Sequence, residues 1–187
     1  NHRTPSGSLA MVSRKSFNAG KADAHEMMYL EKIIDLCREK GIRYYFVSGV
    51  TSMNQVLSVQ NYQEASDYFS ALAESYGTRY FNLNYLRDRE TILPDEMMMD
   101  KGHLNAEGAG LVSALFGEIL KKDLAGEDTS SFFYKDMAEL AASVDRVVSV
   151  GLDITVEEGM AHLTADCFAG SGVVPEYRIS MASGGGE

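Results

Sequence analysis

The sequence predicts a mixed α/β fold: a parallel sheet with helices, followed by a small antiparallel β segment. Amphipathic helical patterns alternate with short apolar strands between residues 23 and 124, which is typical of right-handed crossovers over a parallel sheet. After residue 145 the apolar and polar residues alternate with period two, as in a strand with one buried face. A polar joint at residues 124–131 separates the two patterns.

The first helix is predicted over residues 23–40. Asp23 followed by Glu26 has the spacing of a capping box. Four apolar residues at i, i+3, i+4 and i+7 predict the inner face, namely Leu30, Ile33, Ile34 and Cys37. Gly41 then provides a residue that tolerates the left-handed conformation at the helix end. Residues 42–50, IRYYFVSGV, follow directly and have the unbroken apolar character of a buried parallel strand.

The same pattern repeats along the chain. Asn61 with Glu64 is predicted to cap a second helix that ends at Gly77, and residues 79–84 form the next strand. The inner face of that helix is Ala65, Tyr68, Phe69, Leu72, Ala73 and Tyr76. A third helix is predicted over residues 105–122, with an inner stripe of Leu111, Leu115 and Ile119. Because two strands are too few for a free-standing α/β domain, we expect further strands upstream or in a partner chain.

Residues 125–145 are predicted to be a linker that contains a short helix or tether. Beyond it, one strand face should carry Val148, Val150, Leu152, Ile154 and Val156, and a second strand should carry Ala161, Leu163, Ala165 and Cys167. The segment 157–159 is a plausible turn, and residues 177–181 start a third strand. Residues 146–187 therefore resemble the opening strands of an immunoglobulin-like sandwich module.

Composition excludes several functional classes. The net charge of −10 argues against a nucleic-acid surface, which requires a basic patch. No stretch approaches the roughly 18 apolar residues of a membrane-spanning helix.

Residues 1–22 form a polar N-terminal segment that does not look like a natural start, so we expect a fragment of a longer protein. The two cysteines, Cys37 and Cys167, are interpreted as buried thiols.

Two segments should lie at the carboxyl ends of the parallel strands, where open α/β sheets bind ligands. One is residues 48–54, whose hydroxyls could line a substrate site. The other is the long loop of residues 87–103, which ends in Asp100 and His103. An aspartate three residues before a histidine can accept a hydrogen bond from one ring nitrogen and leave the other nitrogen as a general base.

Other interpretations of this pair stay open. Asp100 and His103 could simply line an exposed loop before a helix capped by Asn105. They could also ligate a metal ion together with the nearby Asp95 and Glu96, but a zinc site usually has three or four ligands and no further histidine is close in sequence. We therefore predict no metal and no cofactor. His25 and His162 are interpreted as ordinary surface or packing residues.

The segment DKGHLNAEGA, residues 100–109, resembles the Asp-x-x-His block that closes the catalytic core of SGNH/GDSL-type hydrolases. The preceding REKGI, YFSALAESYG and RYFNLN segments match the same context, so the resemblance covers residues 25–122. It is closest to the cell-surface branch, which includes teichoic-acid D-alanyl transfer proteins and alginate-acetylation hydrolases. The resemblance implies a partial flavodoxin-like three-layer domain over residues 23–124.

The same resemblance implies a function. His103 would be the base and Asp100 its orienter in a serine esterase or O-acyltransferase that acts on acyl esters of cell-envelope or extracellular glycans. It also implies a bacterial protein located outside the cell or at its surface. The nucleophile block of the family is missing, since Ser6 and Ser8 are not preceded by a strand, and the serine is expected upstream. The alternative is a non-catalytic surface or carbohydrate-binding protein built on a hydrolase scaffold.

Overall fold

The computed structural model describes residues 15–87, 89, 95–100 and 102–176. Its helices are α1 (Ala24–Glu39), α2 (Met53–Leu57), α3 (Tyr62–Ser75), α4 (Ala106–Leu124) and α5 (Met137–Ala142). Its strands are β1 (Phe46–Ser48), β2 (Tyr80–Asn82), β3 (Val147–Glu157) and β4 (Met160–Ala169). The mixed α/β composition predicted from the sequence is confirmed. Ser6, Ser8 and the third strand predicted at 177–181 lie outside the described residues.

Strands β1 and β2 pair in parallel, with Phe46 opposite Tyr80 and Ser48 opposite Asn82. Each strand has three residues and is shorter than its apolar run in the sequence. The prediction that the first strand is buried holds only in part, because Val47 is 43% exposed. Parallel sheets are normally covered on both faces, so the exposed Val47 side chain marks a part of the sheet that the described residues leave uncovered.

Helix α1 begins and ends as the sequence predicts. The Asp23 carboxylate accepts hydrogen bonds from the backbone N–H groups of His25 and Glu26, at 2.7 and 3.3 Å. Gly41 ends the helix with φ of 65°, and Gly77 follows α3 with φ of 72°. Both glycines thus adopt the left-handed conformation that favours this residue.

The predicted inner face of α1 is partly wrong. Ile34 is 2% exposed, whereas Ile33 is 59% exposed. Tyr29 and Leu36 lie at four residues before and three residues after Ile33, and both are 53% exposed. Side chains at this spacing share one side of a helix, so Tyr29, Ile33 and Leu36 form an apolar surface, here called the α1 stripe, that the described residues do not cover.

Helix α4 packs against the sheet and forms one of two cores. Val112 and Ile119 are buried together with Phe81 of β2, and with Val50 and other residues that follow the strands. The buried face of α4 differs from the predicted one. Val112 and Phe116 contribute to the core, whereas Leu111 is 42% exposed. Val112, Phe116 and Ile119 recur at spacings of four and three residues, which is equally compatible with one helix face.

Helix α3 starts at the predicted residue but without the predicted cap. The Asn61 side chain makes no capping bond to its own helix. It instead accepts a hydrogen bond from the backbone N–H of Phe17 at 2.7 Å and donates to the Phe17 carbonyl at 2.9 Å. Its amide also donates to Glu64 at 2.7 Å. Asn61 therefore fastens the N-terminal segment to α3.

The second core joins the α/β part to the C-terminal hairpin. Helix α2 is not predicted from the sequence, but its residues Met53 and Val56 are buried with Leu140 of α5 and Phe168 of β4. Tyr85 and Tyr134 complete the core. The segment predicted as a linker, residues 125–145, thus contains α5 and contributes buried side chains.

Strands β3 and β4 form the predicted antiparallel hairpin. Glu157 pairs with Met160, so the turn is the two residues Glu158 and Gly159, with φ of 52° and 79°. Such two-residue turns match the twist of a hairpin. The prediction of one buried face is wrong for the distal half, where the exposed side chains include Ile154 (38%), Leu163 (44%) and Val156 (71%).

We predict that the two adjacent isoleucines of α1 respond differently to truncation. Ile34→Ala should lower the free energy of unfolding by about 2–5 kcal/mol, because it leaves a cavity in a packed site. Ile33→Ala should change it by less than about 0.5 kcal/mol in this chain, since its side chain is exposed. Urea unfolding of residues 1–187 measures both values, and an equal loss at the two positions would contradict the described helix orientation.

Candidate functional site

Asp100 and His103 lie in a tight turn that the backbone itself builds. Oδ1 of Asp100 accepts hydrogen bonds from the N–H groups of Gly102 and His103, at 2.8 and 2.9 Å. The N–H of Met99 donates to the carbonyl of His103 at 2.8 Å, and Met98 forms an antiparallel bridge with Leu104. The turn places both side chains of the predicted pair on one side of the chain.

The structure brings the two predicted side chains into direct contact. Nδ1 of His103 lies 2.8 Å from Oδ1 and 2.9 Å from Oδ2 of Asp100. A carboxylate can only accept a hydrogen bond, so Nδ1 is the donor and the neutral ring keeps Nε2 as an acceptor. The His103 side chain is 72% exposed and that of Asp100 is 52% exposed. Nε2 is therefore in position to take a proton from a group outside the turn.

The Asp100 carboxyl is held in its charged form. The backbone N–H of Gly102 lowers its pKa most, and the hydrogen bond from His103 lowers the pKa further. Both donors stabilise the negative charge rather than the protonated acid. At the near-neutral pH at which most enzymes act, Asp100 is thus a charged hydrogen-bond acceptor that orients the His103 ring.

Asn105 and Gly108 fix the turn to the start of α4. The Asn105 side chain accepts a hydrogen bond from the Gly108 N–H at 2.9 Å and donates to the Glu96 carbonyl at 2.5 Å. Its backbone N–H donates to the Met97 carbonyl at 2.9 Å. A Cβ atom added at Gly108 would lie 2.5 Å from that same carbonyl oxygen. Gly108 therefore allows the start of α4 to approach the loop that precedes His103.

The turn lies near the carboxyl ends of β1 and β2. Met97 and Leu104 flank the pair, and both pack on the core that contains Val50 and Leu83. Val50 lies two residues after the end of β1, and Leu83 lies one residue after the end of β2. The loop after the second strand and the loop after the first thus share one hydrophobic cluster.

The hydroxyls predicted to line a substrate site are engaged elsewhere. Ser48 Oγ lies 2.6 Å from the Tyr80 hydroxyl, and Thr51 Oγ1 donates to the Asn84 carboxamide at 3.3 Å. Ser52 Oγ caps α2 by accepting from the Gln55 N–H at 3.3 Å. In the part of the chain that the structure describes, Asp100 is the one side chain hydrogen-bonded to the His103 ring.

A buried polar cluster, which is not among the sequence predictions, joins the two loops at this edge. Oδ1 of Asn84 accepts hydrogen bonds from the Thr51 N–H at 3.0 Å and from Arg89 at 3.2 Å. Its amide donates to the Gly49 carbonyl at 3.1 Å and to the Tyr62 hydroxyl at 2.9 Å. The signal was available, because two asparagines in RYFNLN interrupt an apolar run at the point where a parallel strand should end.

In the part of the chain that the structure describes, no group of three or more histidine, cysteine, aspartate or glutamate side chains could hold a metal ion. No described helix is long and apolar enough to cross a membrane. The His25 ring lies in tilted contact with Tyr29 at a centroid distance of 5.0 Å, and His162 lies on β4, so the structure brings neither of them into a pair like that of His103.

Comparison with known proteins gives no match: no family model, curated protein or solved structure corresponds to this chain.

We predict that two glycines of α4 respond in opposite directions to alanine. Gly110 has nothing within 4 Å of an added Cβ, so Gly110→Ala should raise the free energy of unfolding by about 0.5–1 kcal/mol through helix propensity. Gly108→Ala should lower it by about 1–3 kcal/mol, because the added methyl displaces Met97. Urea unfolding measures both, and backbone amide NMR shifts of residues 97–104 should change in the Gly108 variant alone.

The pH dependence of the turn follows from the lowered pKa of Asp100. A carboxyl with a lowered folded-state pKa stabilises the turn fully above its ordinary value of 3.8, and this contribution is lost as the pH falls through the folded-state pKa. The side-chain carboxyl 13C shift of Asp100 should therefore show its protonation step below pH 3.8, the ordinary value for this group. Asp100→Asn, which removes the charge, should abolish this acid transition, and Asp35→Asn on α1 should leave it unchanged.

Proposed function

We propose that this chain carries the histidine and aspartate of a Ser-His-Asp acyl-transfer site, in an SGNH-like serine esterase or O-acyltransferase. The observation that supports this proposal most directly is the contact of Nδ1 of His103 with both carboxylate oxygens of Asp100, at 2.8 and 2.9 Å. This arrangement fixes the tautomer in which Nε2 can accept the proton of a serine hydroxyl. The serine would attack the acyl ester, and His103 would then return the proton to the leaving alcohol.

The placement of the pair also favours this proposal. In open α/β sheets, reacting groups gather at the carboxyl edge of the strands. The Asp100–His103 turn packs through Met97 and Leu104 on the core that includes the residues after β1 and β2. Exposure of the ring on a surface, rather than in a closed cavity, leaves room for a further part of the domain to bring a nucleophile to Nε2.

The proposed nucleophile comes from a unit that completes the sheet, either an upstream segment or a partner chain. Two kinds of surface would receive it. Val47 of β1 is exposed on a face of the sheet, and the α1 stripe exposes three large apolar side chains. A parallel strand with its crossover helix covers such surfaces in a three-layer α/β domain. We propose that the complete domain has this flavodoxin-like arrangement.

The setting is proposed to be the cell surface, and the substrate an acyl ester on a cell-envelope or extracellular glycan. This part rests on the resemblance of residues 100–109 to the cell-surface branch of the hydrolase family, and on the antiparallel hairpin after the α/β part. A hairpin whose distal face exposes Ile154, Val156 and Leu163 is what the first two strands of a sandwich module would present to a second sheet.

A non-catalytic role on the same scaffold is the second candidate. One observation favours it: among the described residues, no serine hydroxyl is hydrogen-bonded to His103. A base and its orienter perform no acyl transfer without a nucleophile. The two candidates therefore differ in one measurable property, the presence of a serine that reacts through His103.

We predict that His103→Ala lowers ester hydrolysis on the order of 100-fold or more in the protein as its gene encodes it, because the general base is removed. Hydrolysis of p-nitrophenyl acetate measures activity, and a fluorophosphonate probe followed by peptide mapping identifies the reacting serine. His162→Ala is the matched control, since His162 is an exposed histidine on β4. It should retain full hydrolysis and labelling.

Two outcomes would decide against the acyl-transfer proposal. Unchanged hydrolysis and labelling in the His103 variant would show that the histidine takes no part. Absence of any labelled serine in the unaltered protein would favour the scaffold role. Circular dichroism of each variant checks that the fold is retained, which the exposure of both histidine side chains leads us to expect.

A further inference from the structure

A cleft on another part of the molecule is lined by polar, charged and aromatic side chains. It lies between α3, the strand β2 and residues 129–135, and has a volume of about 220 Å³. None of its lining residues belongs to the Asp100–His103 turn. Its charged and hydroxyl side chains include Asp67, Ser70, Arg79 and Lys135.

The floor of the cleft is held by aromatic packing and hydrogen bonds. Phe133 stacks on Phe81 of β2 with a centroid distance of 6.0 Å and an interplanar angle of 28°. Ser66 is 7% exposed, and its hydroxyl accepts a hydrogen bond from the Asn82 amide at 3.0 Å. Both sets of contacts hold polar and aromatic groups in place before a ligand arrives, which lowers the entropic cost of binding.

The edge of β2 adds main-chain groups to this lining. The N–H of Phe46 donates to the Arg79 carbonyl at 3.0 Å, so Arg79 and Phe81 turn their backbone groups toward β1. Backbone groups of alternate residues in a parallel strand face opposite neighbours. The N–H and carbonyl of Tyr80 therefore face the outer edge, where the cleft lies.

The charges of the cleft balance. Nη1 of Arg79 forms a salt bridge with Asp123, and the guanidinium lies 5.7 Å from the Phe81 ring centroid. Asp67 and Lys135 then remain as one negative and one positive lining group. Gln63 donates to Oδ1 of Asp67 at 2.8 Å and so orients the carboxylate. A balanced cleft of this kind favours a neutral, hydroxyl-rich ligand over a phosphate or sulfate.

We propose that this cleft binds a single pyranose ring of a neutral glycan. Adjacent hydroxyls of the sugar would donate to Asp67 and accept from Lys135, and the outer backbone groups of β2 would pair with further hydroxyls. The apolar face of the ring would lie against Phe133. This inference does not depend on the acyl-transfer proposal, since the cleft and the Asp100–His103 turn have no residue in common.

Titration of the full chain with methyl β-D-glucopyranoside, followed by backbone amide NMR, tests the inference. Saturable shifts should appear at Ser66, Ser70 and Tyr80. Asp67→Asn should weaken binding by about tenfold or more, since it removes a charged acceptor. The matched control is Asp35→Asn, which changes an exposed aspartate of α1. It should leave the affinity unchanged.

A second variant tests the cleft by filling it, without removing the Asp67 carboxylate. Ser70→Tyr should block the cleft and abolish the shifts. Ala71→Tyr changes the next residue on α3, which does not line the cleft, and should leave the shifts in place.

Inorganic phosphate and an N-acetylated alanine tripeptide amide are titrated in parallel. Cleft shifts with phosphate alone, with the tripeptide alone, or with no probe would overturn the proposal. Hydrolysis lost in the His103 variant with glucoside binding intact separates the two sites.

Discussion

The parallel pairing of β1 with β2 is the constraint on which the rest of the structure depends. It brings the residues after both strands to one edge, where the buried carboxamide of Asn84 connects the Gly49 carbonyl and the Thr51 N–H to its own loop. A buried amide with its donors and acceptors satisfied is costly to break. The loop that leads to the Asp100–His103 turn therefore starts from a fixed point, although each strand has only three residues.

The geometry of the candidate site combines local and long-range causes. Asp100 orients His103 through contacts within four consecutive residues, which need no help from the rest of the fold. The position of the turn depends on more distant contacts, because Gly108 lets α4 approach the Met97 carbonyl and Leu104 packs into the shared core. A short motif thus sets the orientation of the ring, and tertiary packing sets where the ring is presented.

Sequence reasoning succeeded where a local cause determines the structure. The Asp23 cap, the two helix-ending glycines and the Asp100–His103 contact all follow from spacings of a few residues. It failed where a distant contact decides. Leu111 was expected inside α4 and Ile33 inside α1, but which of several compatible helix faces is buried depends on what lies opposite. The side chain of Asn61 likewise binds Phe17, 44 residues away in the chain, instead of capping its own helix.

The length of the hairpin has a consequence for how the isolated chain behaves in solution. Strand β3 has eleven residues and β4 has ten, and in the described part of the chain each pairs only with the other. Long strand edges next to exposed Val156 and Ile154 are templates for pairing with other molecules. Self-association at high concentration should therefore begin at the hairpin tip, while the three-residue strands of the parallel sheet offer too short an edge to nucleate it.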